Sequence, residues 1–387
     1  MALSKKIQNL VVGIDTKNFL VKILKNNGTD FKNAAIDEIA CEKDLVENKH
    51  IFEILDNVLG YYLSTQKISA PDVYVVLPDY FITTDIITLP TMPQNRLKDA
   101  LNAELRRMYP NFAQMQHNAT VLSKTKKQVV FSVCLVEKPI LHDCAMACKK
   151  HGLNLRCITY SANAIINSFL ALGGKSKLGD LLYLHIAETQ SKIIYATRGK
   201  TICFLPLAFG RDFLSSEESK LLPNFVKTPA AQREIFDSSA NVMNNISFVP
   251  GSIENQAFLQ YCAAQTHRQI AAERILQGTA SKKSVLQINF AVFARYLSAI
   301  KHTISTYGLP QPEIAIVNLP NNMLSALKNA DFDIKISPIK EELIEPCLLV
   351  DYFDLYGAIF SIAFNKGHNF LDKDKKAAFK GVRVKRK

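Results

Sequence analysis

Two stretches hold residue types from which a binding site could be assembled. The first is Val12-Gly-Ile-Asp15, followed by the polar turn Thr16-Lys17-Asn18 and the apolar run Phe19-Leu-Val-Lys-Ile-Leu24. It reads as a strand, a tight turn with an acid at its tip, and a returning strand. The second is Leu181-Leu-Tyr-Leu-His-Ile186, the turn Ala187-Glu-Thr-Gln-Ser191, and Lys192-Ile-Ile-Tyr-Ala196. It repeats the first arrangement near the start of the second half, which points to an internal duplication. Two such turns facing each other across a cleft can hold a nucleotide: backbone N–H groups cradle the phosphates, and a carboxylate in each turn holds Mg²⁺ through water. Gly13, Asp15, Lys17, Asn18 and Glu188 are the candidates, and Lys17 could reach a phosphate. Asp15 has a second reading, as the cap of its own hairpin turn. His185, inside an apolar strand, reads as a structural histidine rather than a base. Glu104, on an otherwise apolar helix face, reads as a structural partner for Arg106, for Arg107 or for the other lobe.

Cys144, Cys148 and His151 fall at i, i+4 and i+7, on one helix face. Such a set could hold a metal. Ile140, Leu141, Cys144 and Cys148 also make one apolar stripe, with Cys as a small hydrophobe. The stripe is the preferred reading, because zinc sites use tighter paired spacings. No G-x-S-x-G, H-E-x-x-H, P-loop or G-x-G-x-x-G occurs, so no nucleophile–base pair is announced.

The elements that must position these residues follow from periodicity. Residues 7–14 and 19–24 are strands, and the first is apolar enough to be central. A helix is expected over 44–63, a strand over 72–77, an extended run over 80–89 and a helix over 94–109. A strand over 129–136, a helix over 138–151, a short strand over 157–159 and a helix over 161–172 complete the first half. The second hairpin leads to a strand at 201–205. Residues 215–284 are looser, with a possible helix over 255–276. Helices are expected over 285–307, 323–329 and 352–364, and strands over 312–317 and 334–336.

At 387 residues the chain exceeds what one core usually holds, so two lobes are expected. Apolar residues at 48% and charged residues at 21% exclude a mainly disordered chain. No apolar run reaches the ~20 residues that span a bilayer, and the first residues carry no signal-peptide pattern. The eight cysteines are scattered, which fits reduced thiols. The net charge is +12, and residues 371–387, with six Lys and two Arg against two Asp, carry half of it. A basic tail is not a nucleic-acid-binding face, and no nucleic-acid partner is expected.

Val12-Gly-Ile-Asp15 with Phe19-Leu-Val-Lys22 resembles the first phosphate motif of the actin-like ATPase superfamily. The chain is more specifically similar to the PilM family of type IV pilus assembly proteins, relatives of FtsA. The supporting stretches are Val76-Leu-Pro78, Ile87-Thr-Leu-Pro90, Leu97 to Glu104 with Tyr109-Pro110, His151-Gly-Leu153, and Tyr296 to Tyr307 with Glu313-Ile-Ala-Ile-Val317. The resemblance spans about residues 8–365. It implies an α/β, bilobed actin-like fold of two ribonuclease-H-like halves with inserted subdomains. Lobe I would span 1–174, with an insertion at about 80–150. Lobe II would span 175–365, with an insertion at about 215–284, and 366–387 would be a basic flexible tail.

The departures bear on mechanism. Where the family has Asp-Ile-Gly in the second turn, this chain has His185-Ile186-Ala187, and the Gly-Gly step beside the adenine is replaced by Asn318-Leu-Pro-Asn-Asn322. A carboxylate, a close-approach glycine and an N–H donor are gone. The resemblance therefore implies a pseudo-ATPase. No cofactor is required, and ATP with Mg²⁺ would bind weakly or not at all. Its role would be that of a cytoplasmic scaffold, peripheral to the inner membrane of a pilus or type II secretion machine. It would dock the tail of a PilN-like membrane protein and could self-associate, and residues 371–387 could touch an anionic membrane surface. Asn369-Phe370-Leu371 is similar to the Asn-Leu-Leu start of PilN, as if the chain carried its own partner peptide. The alternative is an active actin-like ATPase or sugar-kinase-like enzyme, which needs a carboxylate in the second turn.

Overall fold

The computed structural model describes residues 8–16, 19–27, 34–66, 71–171, 180–187, 191–197, 200–207, 312, 314–317, 335–338, 352–364 and 369–371. The expectations for 215–284, 285–307, 318–322 and 323–329 lie outside the described residues, as do Lys17, Asn18 and Glu188.

Lobe I is built on five strands: β1 (Gln8–Asp15), β2 (Leu20–Asn27), β3 (Ala35–Ala40), β4 (Asp72–Leu77) and β5 (Asn154–Tyr160). Their spatial order is β3-β2-β1-β4-β5, with the first three antiparallel and β4 and β5 parallel to β1. β1 is almost wholly apolar because both its faces are covered. Leu10, Val12 and Ile14 join a core completed by helices α1 (Lys43–Glu47), α2 (Ile51–Gln66) and α4 (Lys138–Lys150). Val11, on the opposite face, packs with Tyr74, Val76, Leu355 and Ile359.

Lobe II repeats the plan. β8 (Asp180–Ile186), β9 (Ser191–Thr197), β10 (Lys200–Leu207), β11 (Ile314–Val317) and β12 (Lys335–Pro338) lie in the order β10-β9-β8-β11-β12. The first three are again antiparallel, and β11 and β12 are again parallel to the first. Two sheets with the same order and the same mixture of directions make the duplicated, bilobed actin-like fold expected from the sequence.

A third sheet is inserted in lobe I. It comprises β6 (Met115–Lys124) and β7 (Gln128–Glu137) with the strand Thr83–Pro90, in the order 83–90, β7, β6. Helix α3 (Gln94–Met108) covers it through Leu97, Leu101 and Leu105. This insertion's own core ends at Leu135. Helix α4, which sequence grouping put inside 80–150, buries Ile140, Leu141, Cys144 and Cys148 in the main lobe I core instead.

Two helices join the lobes. α5 (Ser161–Ala171) follows β5 and reaches the β9 and β10 side, while α6 (Phe353–Phe364) follows lobe II in sequence and packs across β1, β2, β4 and β5. The two helices cross at Gly357, where a Cβ would lie 1.6 Å from the Ala164 carbonyl oxygen. At the crossing Asn167 Nδ2 donates to Ser361 Oγ at 2.9 Å, and the Ser168 hydroxyl donates to the Phe353 carbonyl.

Several expectations change. β3 and β6 were not foreseen. The single helix over 44–63 is two, broken where Lys49 takes a positive φ of 58°. β5 is longer than the 157–159 expected. Helix α6, assigned to lobe II, covers lobe I. The tail read as flexible from 366 is packed at Asn369 and Phe370, both buried. The reason is a buried aromatic side chain: Phe370 enters the lobe I core beside Tyr160.

Candidate functional site in the interlobe cleft

Each lobe brings the turn end of its hairpin toward the other lobe. Gly13 and Asp15 lie on β1, but Gly13 does not leave room for a ligand. A Cβ there would meet Leu355 Cδ2 at 2.5 Å, so the missing side chain admits helix α6. Asp15 Oδ2 lies 3.1 Å from Lys22 Nζ. Burial pulls the Lys22 ammonium down, yet its pKa is raised overall, because Asp15, Asp354 and Glu38 all favour the charged form. Lys22 also sits 5.4 Å from the centre of the Tyr352 ring, and the Tyr352 hydroxyl donates to Glu38 at 2.9 Å.

A second lysine crosses between lobes. Lys192, the second residue of β9, places Nζ 2.7 Å from Asp79 Oδ2, just beyond β4. The same ammonium donates to Ser161 Oγ at 2.5 Å, and the Ser161 hydroxyl donates to Asp354 Oδ2 at 2.6 Å. Asp79 Oδ1 accepts from the Ala162 amide at 2.8 Å, at the first turn of α5. Asp354 Oδ1 accepts from the Leu355 amide at 2.9 Å, at the first turn of α6. Carboxylates at helix N-termini are favoured by the exposed amides and the helix dipole. One chain of contacts, Asp79–Lys192–Ser161–Asp354, thus ties β4, β9, α5 and α6 together. The side chains of Lys192 and Asp79 are 13% and 4% exposed, so water screens this pair little.

His185, on β8 opposite Lys192, lies in an aromatic stack. Its ring is 6.2 Å from both Tyr183 and Phe353. Ala187 follows at the strand end. Among the sequence candidates, the structure brings Gly13 and Asp15 to the cleft mouth. It also brings Lys22, Asp79, Ser161, Lys192 and Asp354, none of which sequence reasoning selected. A faint signal existed for two of them: Pro78-Asp79 directly ends a buried strand, and Asp354 opens an apolar helix.

A Mg²⁺-nucleotide site on these residues would need carboxylates directed at the metal. The described carboxylates Asp15 and Asp79 are directed at Lys22 and Lys192 instead, and a divalent ion would have to displace an ammonium group. The described part of the cleft therefore fits a metal–nucleotide poorly. Elsewhere, the Cys144/Cys148/His151 face does not converge. Burial pushes the Cys144 thiol well up and the Cys148 thiol to about 12, while His151 Nε2 turns to Asp56 Oδ1 at 2.9 Å. Among the described residues no group of three or more His, Cys, Asp or Glu is placed to hold a metal. Glu104 pairs with Arg107, one of its expected partners, at 2.5 Å.

The two matching sheets define a chain with the duplicated, bilobed actin-like fold. No protein-family profile matches the sequence. No curated protein matches it. Among solved structures, it is similar to a PilM–PilN type IV pilus biogenesis complex, at 13% identity over 92% of this chain and 98% of that one, with a TM-score of 0.48. It is also similar to the cytoplasmic domain of EpsL, an inner-membrane component of the type II secretion system of Vibrio cholerae. There the identity is 12%, over 95% and 99% of the two chains, with a TM-score of 0.45. An inorganic polyphosphate/ATP-glucomannokinase from Arthrobacter sp. strain KM aligns at 14% identity over 92% and 98%, with a TM-score of 0.42. No described helix is long and apolar enough to cross a membrane.

Proposed function

We propose that this chain is a non-hydrolysing, PilM-like scaffold that works on the cytoplasmic side of an inner membrane, in a pilus or type II secretion assembly machine. It docks the cytoplasmic tail of a PilN-like membrane partner beside the inserted sheet of lobe I. The observation that carries the non-enzymatic part is the Lys192 bridge. A cation of the chain itself sits between the lobes and engages Asp79 and, through Ser161, Asp354. His185 and Ala187, in place of an acid and a glycine, support the same reading. The docking part rests on the sequence resemblance. The basic run 371–387 adds attraction to anionic lipid, at about 1 kcal/mol for each Lys or Arg near the surface.

The test has two arms. Purified protein with Mg-ATP should show no turnover above background and little heat in calorimetry. Hydrolysis that disappears in Asp15→Ala would overturn the reading in favour of the ATPase or sugar-kinase alternative. Removal of residues 83–137, which spares helix α4 and its place in the main lobe I core, should abolish capture of the membrane partner in pull-downs. A folded deletion variant that still captures it would move the docking site elsewhere.

A further inference from the structure

Strand β7 enters the main lobe I core at Cys134 and Val136, so the turn that joins it to β6 lies at the far end of the inserted sheet. That turn, Lys124-Thr-Lys-Lys-Gln128, is firmly held. The Thr125 amide donates to the Gln128 carbonyl at 2.8 Å, and the Gln128 amide donates to Thr125 Oγ1 at 3.0 Å. The chain just before α3 clasps it: the Thr91 amide donates to the Lys127 carbonyl at 3.0 Å, and the Thr91 hydroxyl to the Thr125 carbonyl at 2.8 Å. The start of α3 is thereby held beside the turn, and its first two turns add Arg96 and Lys98.

Residues 91–99 and 121–128 thus form one pole, with five basic side chains against a single acid, Asp99. All five are exposed. Among the described residues none of them holds a carboxylate, whereas elsewhere on lobe I Lys43, Lys49, Lys150 and Arg156 each do. Helix α3 has neither an acid in its first turn nor a side-chain cap, so the positive end of its dipole adds to the same field. Like charges gathered on one pole repel one another, and an anionic partner reverses that cost.

The nature of the partner follows from two features. Neither segment of the pole contains an aromatic residue on which a base could stack, which speaks against single-stranded nucleic acid. At the other end of β6, Gln116 donates from Nε2 to the Phe370 carbonyl, so the basic run from 371 starts beside the same strand. β6 has no acidic residue, and at about 3.3 Å per residue it is about 30 Å long. A compact acidic peptide could answer one of these two basic segments, whereas an extended anionic surface answers both. We propose that the turn at 124–127, with the start of α3, is a docking surface for the anionic headgroups of a bilayer, engaged together with the basic run beyond Leu371. This deepens the peripheral-membrane part of the reading above and rests on it for which membrane is met. The inserted sheet then stands with its outer strand toward the lipid, and the tail of a membrane partner reaches it without passing around the body of the protein.

The test uses the full chain and vesicles, with no membrane partner present. The protein is co-sedimented at low salt with vesicles of phosphatidylglycerol and phosphatidylethanolamine, or of phosphatidylcholine alone. Each Lys near an anionic surface strengthens binding about five-fold, so the triple variant Lys124→Gln/Lys126→Gln/Lys127→Gln should bind anionic vesicles at least about ten-fold more weakly. The single variant Lys126→Gln should lose a few-fold. A charge-matched triple on α1 and α4, Lys43→Gln/Lys149→Gln/Lys150→Gln, should bind as the unaltered chain does. All variants should share one thermal melting profile, and phosphatidylcholine vesicles should capture none of them. Equal binding by the 124/126/127 triple and the unaltered chain would overturn the proposal. So would equal losses in the two triples, which would reduce the effect to net charge. Displacement of the vesicles by a decamer of polyglutamate at a lower charge concentration than the lipid would assign the pole to an acidic protein instead. Any of these failures leaves the nucleotide and pull-down arms of the scaffold reading standing.

Discussion

The two hairpins that face the cleft share a topology and differ in where their lysines reach. In lobe I, Lys22 of β2 turns back to Asp15 of the paired strand, so the ion pair closes within one hairpin. In lobe II, Lys192 reaches away from its own hairpin and meets Asp79 and Ser161 of the other lobe. The first pair stabilises a turn, and the second stabilises an arrangement of lobes. Duplication of a fold therefore preserves strand order, while a few residues at strand ends decide whether the halves are independent or tied.

The largest effect should come from the crossing of α5 and α6. In Gly357→Ala the new methyl would meet the Ala164 carbonyl, a backbone atom that cannot rotate away. A loss of about 3 kcal/mol or more is expected, or failure to fold, read by denaturant titration. Next comes Lys192→Met, which strands the Asp79 carboxylate in a nearly buried position. A cost of about 3 kcal/mol is expected. The double variant Lys192→Met/Asp79→Asn should recover most of it. Lys22→Met, at a more exposed pair, should cost less, about 1 kcal/mol. Equal costs for the two lysines would erase the contrast drawn between the hairpins.

A third buried carboxylate sharpens the comparison, because among the described residues its partners are neutral. Asp85 is fully buried in the inserted sheet and accepts from the Tyr109 hydroxyl at 2.8 Å and from the Ile86 amide at 2.7 Å. Desolvation raises its pKa to about 6, against the lowering by these two hydrogen bonds. The folded state thus holds the proton more tightly than the unfolded chain. The group's contribution is most favourable below about pH 4 and falls as pH rises to about 6. Asp85→Asn should remove that dependence. In thermal melts the variant should gain on the unaltered chain between pH 5 and pH 7.5, by about 2 kcal/mol at the upper end. A constant offset across that range would mean that Asp85 stays ionised throughout. The smallest effect is Gly13→Ala, about 1 kcal/mol, because the clash there is with the flexible end of Leu355.

The readable parts of the sequence were those where one element announces itself. β1, β4, β7 and β8 are continuous apolar runs because they are covered on both faces, and α3 and α5 carry a clear helical period. β3 and β6 escaped because they are outer strands. Ala35–Ala40 is mostly exposed, and Met115–Lys124 alternates polar residues with half-buried ones, so neither has an apolar signature. The break between α1 and α2 escaped because Lys49, not a glycine, adopts the left-handed conformation. Gly13 and Asp15 were legible as a motif, yet one admits a helix and the other is held by a lysine two strand positions from the turn's far end. Lys192, Asp79, Ser161 and Asp354 stand far apart in sequence: the packing of α5 and α6 on lobe I gathers the last three, and the docking of lobe II adds Lys192.

The route of the chain through α6 has a consequence for synthesis. The face of β1 that carries Val11 and Gly13 is covered by Leu355 and its neighbours, which leave the ribosome only after the strands of lobe II. Until then, the first sheet to be made exposes Val11, Tyr74 and Val76 on one side. A nascent chain of this protein therefore waits with an unfinished first lobe through the translation of the whole second one. That interval is when a holding chaperone is needed and when a stalled or shortened message would yield an aggregating product.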